Sequence, residues 1–387
     1  MCRRCVMDTT VPDIEFDQDG VCNFCKEYEA RRAKEWFRGD AANARRDATL
    51  ARIKQAGAGR EYDCVIGVSG GVDSTYVAYL TKKWGLRPLA VHLDNGWNSE
   101  LAVSNIEQTM KRLNIDLQTH VLNWDEFRDL QRAFIKSSIA NWEIPTDHAI
   151  VSVLFKIAAR HGVKFILTGG NIATEAIMPK SWMYDARDAR LLKAIHHQFG
   201  EHKLKTFPVL GLMEMAYYIL MRNIKFVPVL NMVNYVKTDA KRLLMDELGW
   251  RDYGGKHYES IFTRFFQTYA LPRKYNIDKR KAHLSCLVLA NEMTRDEALA
   301  ELEQPPAPPN VIEEDVEFVT KKLGFSVEAF EQIMNAPPKP AEDYPNLSFI
   351  WSYRWGKASA LLEFVRRRSM DYASLLCLTD MLCPLLA

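Results

Sequence analysis

Tyr62–Leu80 reads "YDCVIGVSGGVDSTYVAYL", a short apolar run and an amphipathic run joined by two glycines. The first run, Cys64 to Val68, is rich in β-branched residues and suits a strand buried on both faces of a parallel sheet. The second, Thr75 to Trp84, carries apolar residues at helical spacing with Ser74 in its first turn. Gly70 and Gly71 therefore stand at a strand-to-helix turn. There, backbone amides point outward at a helix N-terminus, and the missing Cβ atoms let a phosphate approach. Ser69 and Ser74 add hydroxyl donors, and Asp73 suits a magnesium ion bridging phosphate oxygens. Two glycines alone would mark an ordinary turn; the flanking serines and aspartate after a buried strand predict a phosphate cradle.

A Walker-type loop would add a lysine for the β- and γ-phosphates. Val72 and Asp73 occupy that place, which argues against γ-phosphoryl transfer. The SGGVDS run resembles the pyrophosphate loop of the PP-loop ATP-pyrophosphatase superfamily. That resemblance implies cleavage of ATP between its α- and β-phosphates, giving an adenylylated acceptor and pyrophosphate.

Outward from the loop, strand and helix patterns alternate. Leu86–Gly96 predicts a second strand, "LQTHVLNW" a third and "VKFILTGGN" a fourth, with helices between them. Such alternation predicts an α/β fold with a doubly wound parallel sheet, whose ligands sit at the C-terminal strand ends. Asp94, Asn95 and Gly96 end the second strand, and Thr168, Gly169, Gly170 and Asn171 the fourth. These are candidate ATP contacts, although Asn and Gly also simply form turns. Asp147 and His148, in "IPTDHAI", are weaker substrate candidates, and Asp147 also fits a helix cap.

The chain has 387 residues, 48% hydrophobic and 26% charged, with a net charge of +2. This is an ordinary globular composition with no general field for nucleic acid. The opening "MCRRCVMDTT" lacks the apolar core of a signal peptide. The apolar stretch Phe207–Val233 is broken by Glu214, Arg222, Lys225 and prolines, so no membrane span is expected. The expected location is cytoplasmic, where clustered cysteines point to metal rather than disulfides.

Cys2, Cys5, Cys22 and Cys25 form C-x2-C-x16-C-x2-C. Two CxxC knuckles complete a closed four-thiolate site, which reads as structural zinc, with an iron–sulfur cluster as the alternative. The segment has too little apolar content to fold alone, so the metal would stabilise it. Cys64 and Cys286 read as packing residues.

The expected organisation is a zinc ribbon over 1–30, a helical linker over 31–58, and the nucleotide domain over 59–205. A mainly helical substrate or partner region follows over 206–302. Proline-rich linkers ("EQPPAPPN", "PPKPAEDYP") and a helical tail occupy 303–387. Gly254, Gly255, Lys256, His257 and Glu259 form a candidate clamp, and Lys279, Arg280 and Lys281 a basic run that is more commonly a solvated face.

Taken in order, "CRRCVMDTTVPDIEFDQDGVCNFC", the SGGVDS loop, "VHLDNGWNSELAVSNIE", "EIPTDHAI", "LTGGNIATEAIMPKSW" and "DYGGKHYESIFTRFFQ" resemble the N-acetyl sugar amidotransferases of bacterial surface-polysaccharide (LPS O-antigen) biosynthesis. The resemblance covers Cys2 to about Leu302. It implies ATP-dependent replacement of an acetamido oxygen by ammonia on a nucleotide-activated sugar, giving an acetamidino group, AMP and pyrophosphate. On that reading Asp73, Lys180 and Lys256 are the catalytic candidates, with His257 and Arg280 beside Asp147 and His148 toward the substrate. It also implies a separate glutaminase subunit supplying ammonia, with a cyclase-like barrel as conduit, since the chain shows no nucleophile elbow or triad of its own. A tRNA-thiolating PP-loop enzyme is the rival, opposed by the missing downstream cysteine pair and the balanced charge. A non-catalytic nucleotide-binding scaffold is another.

Overall fold

The computed structural model describes residues 1–255 and 258–347. Five parallel strands, β1 (Cys64–Gly67), β2 (Pro88–Asp94), β3 (Asp116–Val121), β4 (Phe165–Thr168) and β5 (Lys225–Pro228), lie in the order β3-β2-β1-β4-β5. Helices α1 (Asn23–Glu35) and α2 (Gly39–Ala56) precede the sheet. Helices α3 (Val72–Lys83), α4 (Glu100–Leu113), α5 (Trp124–Ser137), α6 (Ile144–Arg160), α7 (Ile172–Glu175), α8 (Ala189–Phe199) and α9 (Leu212–Ala216) fall between its strands. After the sheet come α10 (Lys237–Leu248), α11 (Ile261–Phe265), α12 (Leu271–Tyr275), α13 (Arg280–Ala290), α14 (Arg295–Glu303), α15 (Pro309–Leu323) and α16 (Val327–Asn335).

The two-residue side-chain period of the strands sorts the sheet into faces. Cys64, Ile66, Ala90, Leu167 and Val227 pack with α3, α4 and α10. Val65, Leu89, Val91, Ile166 and Phe226 pack with α6 and with Met215 and Tyr218 from the α9 segment. Burial on both faces explains why β1 and the first four residues of β2, Pro88 to Val91, are apolar; each fully buried Val, Ile or Leu contributes about 1.5–3 kcal/mol. Because all five strands are parallel, every βα turn falls at one edge of the sheet.

A second core joins the cysteine ribbon, α5, α8 and the C-terminal helices around Trp142, Phe262, Phe265 and Phe266, all buried. Its ties are specific. Arg264 makes a two-pronged ion pair with buried Asp315, both contacts 2.7 Å, fixing α11 to α15. Arg132 donates to the carbonyls of Leu323 and Gly324 at 2.7 and 2.9 Å, neutralising the α15 C-terminus.

The expected α/β architecture with its helical C-terminal region is present, with differences. The sheet has a fifth strand, drawn from the region read as mainly helical. "KFVP" is too short and too embedded in apolar sequence to declare itself. "EQPPAPPN" contributes a short connection, residues 304–308, between α14, which runs through Glu303, and α15, which Pro309 begins, where a missing amide costs nothing. "PPKPAEDYP" is a fastened strap. The Lys339 amide donates to Ser138 O at 2.9 Å and the Tyr344 hydroxyl to Ser137 O at 2.6 Å.

Candidate functional site

The SGGVDS turn is held by its own hydroxyls and by an aromatic wall from distant sequence. The Ser69 amide donates to Ser74 Oγ (3.2 Å), and the Gly71 amide to Ser69 Oγ (3.3 Å). The Ser74 and Thr75 hydroxyls donate back to Gly71 O at 3.1 and 2.8 Å. Gly70 stands at φ +82°, and a Cβ there would lie 2.6 Å from Ala102 O. Only glycine fits, because α4 crosses directly over the turn. The Trp250 indole donates to Gly70 O at 2.9 Å, and the Val72 amide donates to the Tyr253 hydroxyl at 3.2 Å.

Asp73 sits in the first turn of α3, where its charge suits the helix dipole. The hydroxyl of buried Tyr235 donates to its carboxylate. Burial and the charge of Asp73 raise the Tyr235 pKa far above its ordinary value, so the phenol stays a donor at neutral pH. The end of β4 closes on the same residue: a Cβ on Gly169 would stand 3.0 Å from Asp73 backbone and Cβ. The neighbouring Gly170 faces open space, with nothing within 4 Å of an added Cβ. The end of β2 is tied in by buried His92, whose Nδ1–H donates to Val68 O at 2.9 Å while Nε2 accepts from Asn98 at 3.1 Å; the ring tautomer is assigned from these partners.

Thus Ser69, Gly70, Gly71, Asp73, Ser74, Thr168, Gly169 and Gly170 share one edge of the sheet with Asp94 and Asn95. The side chains at the outer strand ends serve the backbone. Asp94 accepts from the Gly96 amide (2.9 Å). Buried Asn95 bridges the Trp97 amide (3.1 Å) and Thr146 Oγ1 (3.2 Å). Asn171 caps α7, accepting from the Thr174 amide at 2.9 Å, and donates to Gly169 O at 3.1 Å. Its side chain shapes the strand end rather than reaching outward.

The segment that opens the helical region closes the site. Ser99 N donates to Glu259 O and Ile261 N to Trp97 O, both at 2.9 Å. Glu259 Oε1, Ser69 Oγ and the Tyr253 hydroxyl lie 3.2, 3.2 and 3.3 Å from where a Gly71 Cβ would be. Glu259 belongs to the expected clamp; Tyr235, Trp250 and Tyr253 did not stand out in the sequence. The aromatic density of Trp250–Phe266 was the one available hint. Lys256 and His257 lie outside the described residues, as do Cys377, Cys383 and the rest of 348–387.

Two candidates prove to be structural. Buried His148 has both ring nitrogens committed, Nδ1–H to Ala186 O (2.7 Å) and Nε2 accepting from the Leu210 amide (2.8 Å), and burial lowers its pKa. Arg280 pairs with Asp278 (2.8 Å) and donates to Gln304 O (2.8 Å), closing the end of α14. Lys180 is exposed in a single 3-10 turn, where adjacent Ser181 donates to Asp13 of the cysteine ribbon at 2.6 Å. No contact joins it to the loop among the described residues. Asp147 is not the cap of α6, a position held by Glu143. Burial and then the Glu143 charge push its carboxyl up to about 7, against the pull of Lys279.

The four cysteines converge as expected. All are fully buried, and their sulfurs lie within 4.8 Å of one another, with near pairs at 3.6, 3.6 and 3.8 Å. A tetrahedral ion with bonds of about 2.3 Å separates its sulfurs by about 3.8 Å, so the set fits one such ion. It is too tight for a multi-iron cluster. Backbone amides of Arg4 and Met7 point at the Cys2 and Cys5 sulfurs at 3.4 and 3.5 Å. The ribbon docks on the C-terminal helices: Arg295 donates to Cys2 O (3.0 Å) and Cys5 O (3.1 Å), and Lys281 pairs with Asp8 (2.7 Å). The chain therefore carries a buried candidate metal centre built by the cysteine ribbon.

Residues 259–357, about a quarter of the chain, match the family model described as "LPS biosynthesis protein WbpG-like, C-terminal domain". No curated protein matches the chain by sequence. Among solved structures, the NH3-dependent NAD synthetase from Campylobacter jejuni is 13% identical, covering 74% of this chain and 97% of that one at a TM-score of 0.29. NMN synthetase from Francisella tularensis is 14% identical, covering 56% and 90%, with a TM-score of 0.28. A predicted subunit of tRNA methyltransferase from Methanocaldococcus jannaschii is 16% identical, covering 46% and 74%, with a TM-score of 0.26.

Proposed function

We propose that the chain is an ATP-dependent amidotransferase of LPS biosynthesis that converts the N-acetyl group of a nucleotide-activated sugar into an acetamidino group. The observation that carries this is the SGGVDS turn, clasped between α4, Trp250, Tyr253 and Gly169 at the sheet edge, with no lysine in the loop. The WbpG-like match over 259–357 supports the LPS assignment.

An amide oxygen leaves poorly, so it must first be activated. Attack of that oxygen on the α-phosphorus breaks the bond to the β-phosphate bridging oxygen and expels pyrophosphate. Ammonia then adds to the imidate carbon, and AMP departs carrying the former amide oxygen. The Gly71 and Val72 amides, whose partners are now hydroxyls, would turn to the departing phosphates at the N-terminus of α3. Tyr235 fixes the Asp73 carboxylate; magnesium held there would neutralise phosphate charge. Open space at Gly170 admits the nucleotide beside β4. Glu259 faces the loop beside Gly71, and the residues assigned to alignment would act by positioning rather than as a general base. Zinc in the four-thiolate site would be structural, having no open coordination position. A separate glutaminase would supply ammonia.

The test is an isotope trace. With the acetyl carbonyl of the sugar labelled by heavy oxygen, the label should appear in the phosphate of AMP and in no pyrophosphate. Label retained in the sugar product, or appearing in water alone, rejects adenylylation of the amide.

A further inference from the structure

The α9 segment shows solvent an apolar face that neither the site nor the fold requires. Leu212–Ala216 continues without a break into a π-turn, Tyr217–Met221, giving ten helical residues. Met215 and Tyr218 face inward, the Tyr218 ring stacking on Phe155 at 5.5 Å. Met213, Tyr217, Leu220 and Met221 face outward, with exposures of 82, 47, 53 and 76%, and Leu212 joins them at 40%. The wide π-turn places Leu220 and Met221 side by side on that face. A patch of this kind on a soluble fold marks a binding surface.

Its charged surroundings indicate the partner. Arg222 ends the helix and reaches Ala159 O (2.7 Å), which sets its guanidinium beside exposed Arg160. Lys156 donates to Val209 O (3.3 Å) just before the helix, and Lys164 pairs through its carbonyl with the Lys225 amide (2.9 Å) just after it. Within the helix the single acid, Glu214, is engaged by the Tyr218 hydroxyl at 2.8 Å. Apolar side chains on one short surface helix, with Arg160 and Arg222 at its end and Lys156 at its start, form an amphipathic element suited to an anionic bilayer.

We propose that Leu212–Met221 docks the protein on anionic lipid membranes, with Met213, Leu220 and Met221 entering the acyl boundary and Arg160 and Arg222 meeting headgroups. This does not rest on the amidotransferase reading.

The experiment is co-sedimentation of the full chain with extruded vesicles, either phosphatidylcholine alone or a mixture with phosphatidylglycerol. The expected result is binding to the anionic vesicles that weakens several-fold on raising the salt from physiological to half-molar, since surface charge is screened. Met213→Glu with Leu220→Glu should lower the partition coefficient at least tenfold. Arg160→Gln with Arg222→Gln should abolish the anionic preference. The substituted apolar side chains are solvent-exposed, and an unchanged circular dichroism melt checks folding; the salt series needs no variant. No binding by the wild-type chain, or equal binding by Met213→Glu/Leu220→Glu, overturns the proposal. So does a concentration-dependent dimer, seen by sedimentation velocity, that those two substitutions dissociate.

Discussion

Gly169 and Gly170 are chain neighbours with opposite surroundings, and alanine at each separates the two properties of the strand-end edge. At Gly169 the added methyl would stand 3.0 Å from Asp73 backbone carbon and Cβ, against an ordinary contact of 3.4–4 Å. Those atoms belong to the first turn of α3, so relief requires moving the helix start or β4 by about 0.4 Å. Overpacking of this kind costs about 1–3 kcal/mol. At this chain length that is on the order of 2 °C per kcal/mol, a drop in Tm of about 2–6 °C. The same shift moves the loop amides and Asp73 out of line, and misplacement on that scale lowers kcat/KM for pyrophosphate release about tenfold or more. At Gly170 nothing lies within 4 Å. Gly170→Ala should melt with the wild type yet raise KM for ATP, because its methyl enters the space assigned to nucleotide. Differential scanning fluorimetry and a coupled pyrophosphate assay read both. If Gly169→Ala matches the wild type in Tm and turnover, the clasp between β4 and the loop is not the working arrangement.

Three further outcomes follow from the same contacts. Tyr235→Phe removes a charge-assisted bond to Asp73 worth about 1.5–3 kcal/mol, and should raise the magnesium concentration giving half-maximal pyrophosphate release at least severalfold. Arg295→Ala removes two donors to ribbon carbonyls and, being partly exposed, should cost about 2–4 kcal/mol in a denaturant titration and speed zinc loss to a chelator. Asp147 has a folded-state pKa of about 7 against an ordinary 3.8, so its folded form holds the proton more tightly and the wild type loses stability as pH rises between about 4 and 7. Asp147→Asn should therefore gain Tm over the wild type across that window, with the difference level above it.

What the sequence showed well was local. SGGVDS declares itself because its glycines and hydroxyls follow one another along a single strand-to-helix turn, and the four cysteines because each knuckle is two cysteines three positions apart. The first four strands are legible through their β-branched runs and flanking helices. β5 is not, since "KFVP" lies in an apolar stretch where strand and helix periods cannot be told apart. The wall of the site was hidden for a different reason. Tyr253 meets Val72 across 181 positions and Tyr235 meets Asp73 across 162, and no local spacing encodes such pairings. His148 and Arg280 misled in the reverse direction: a polar side chain near a motif looks functional until its partners, here backbone carbonyls and an amide, are seen. The prolines of "EQPPAPPN" serve both readings, since residues 304–308 connect two helices while Pro309 starts the second.

The most direct test of the central claim is product analysis. Purified protein is incubated with ATP, magnesium, ammonium and a panel of nucleotide-activated N-acetyl sugars, with each product identified by mass. The account predicts AMP and pyrophosphate in equal amounts, together with a sugar whose mass has changed by the exchange of one oxygen for NH. Formation of ADP and phosphate, or of AMP only when tRNA replaces the sugar, contradicts it.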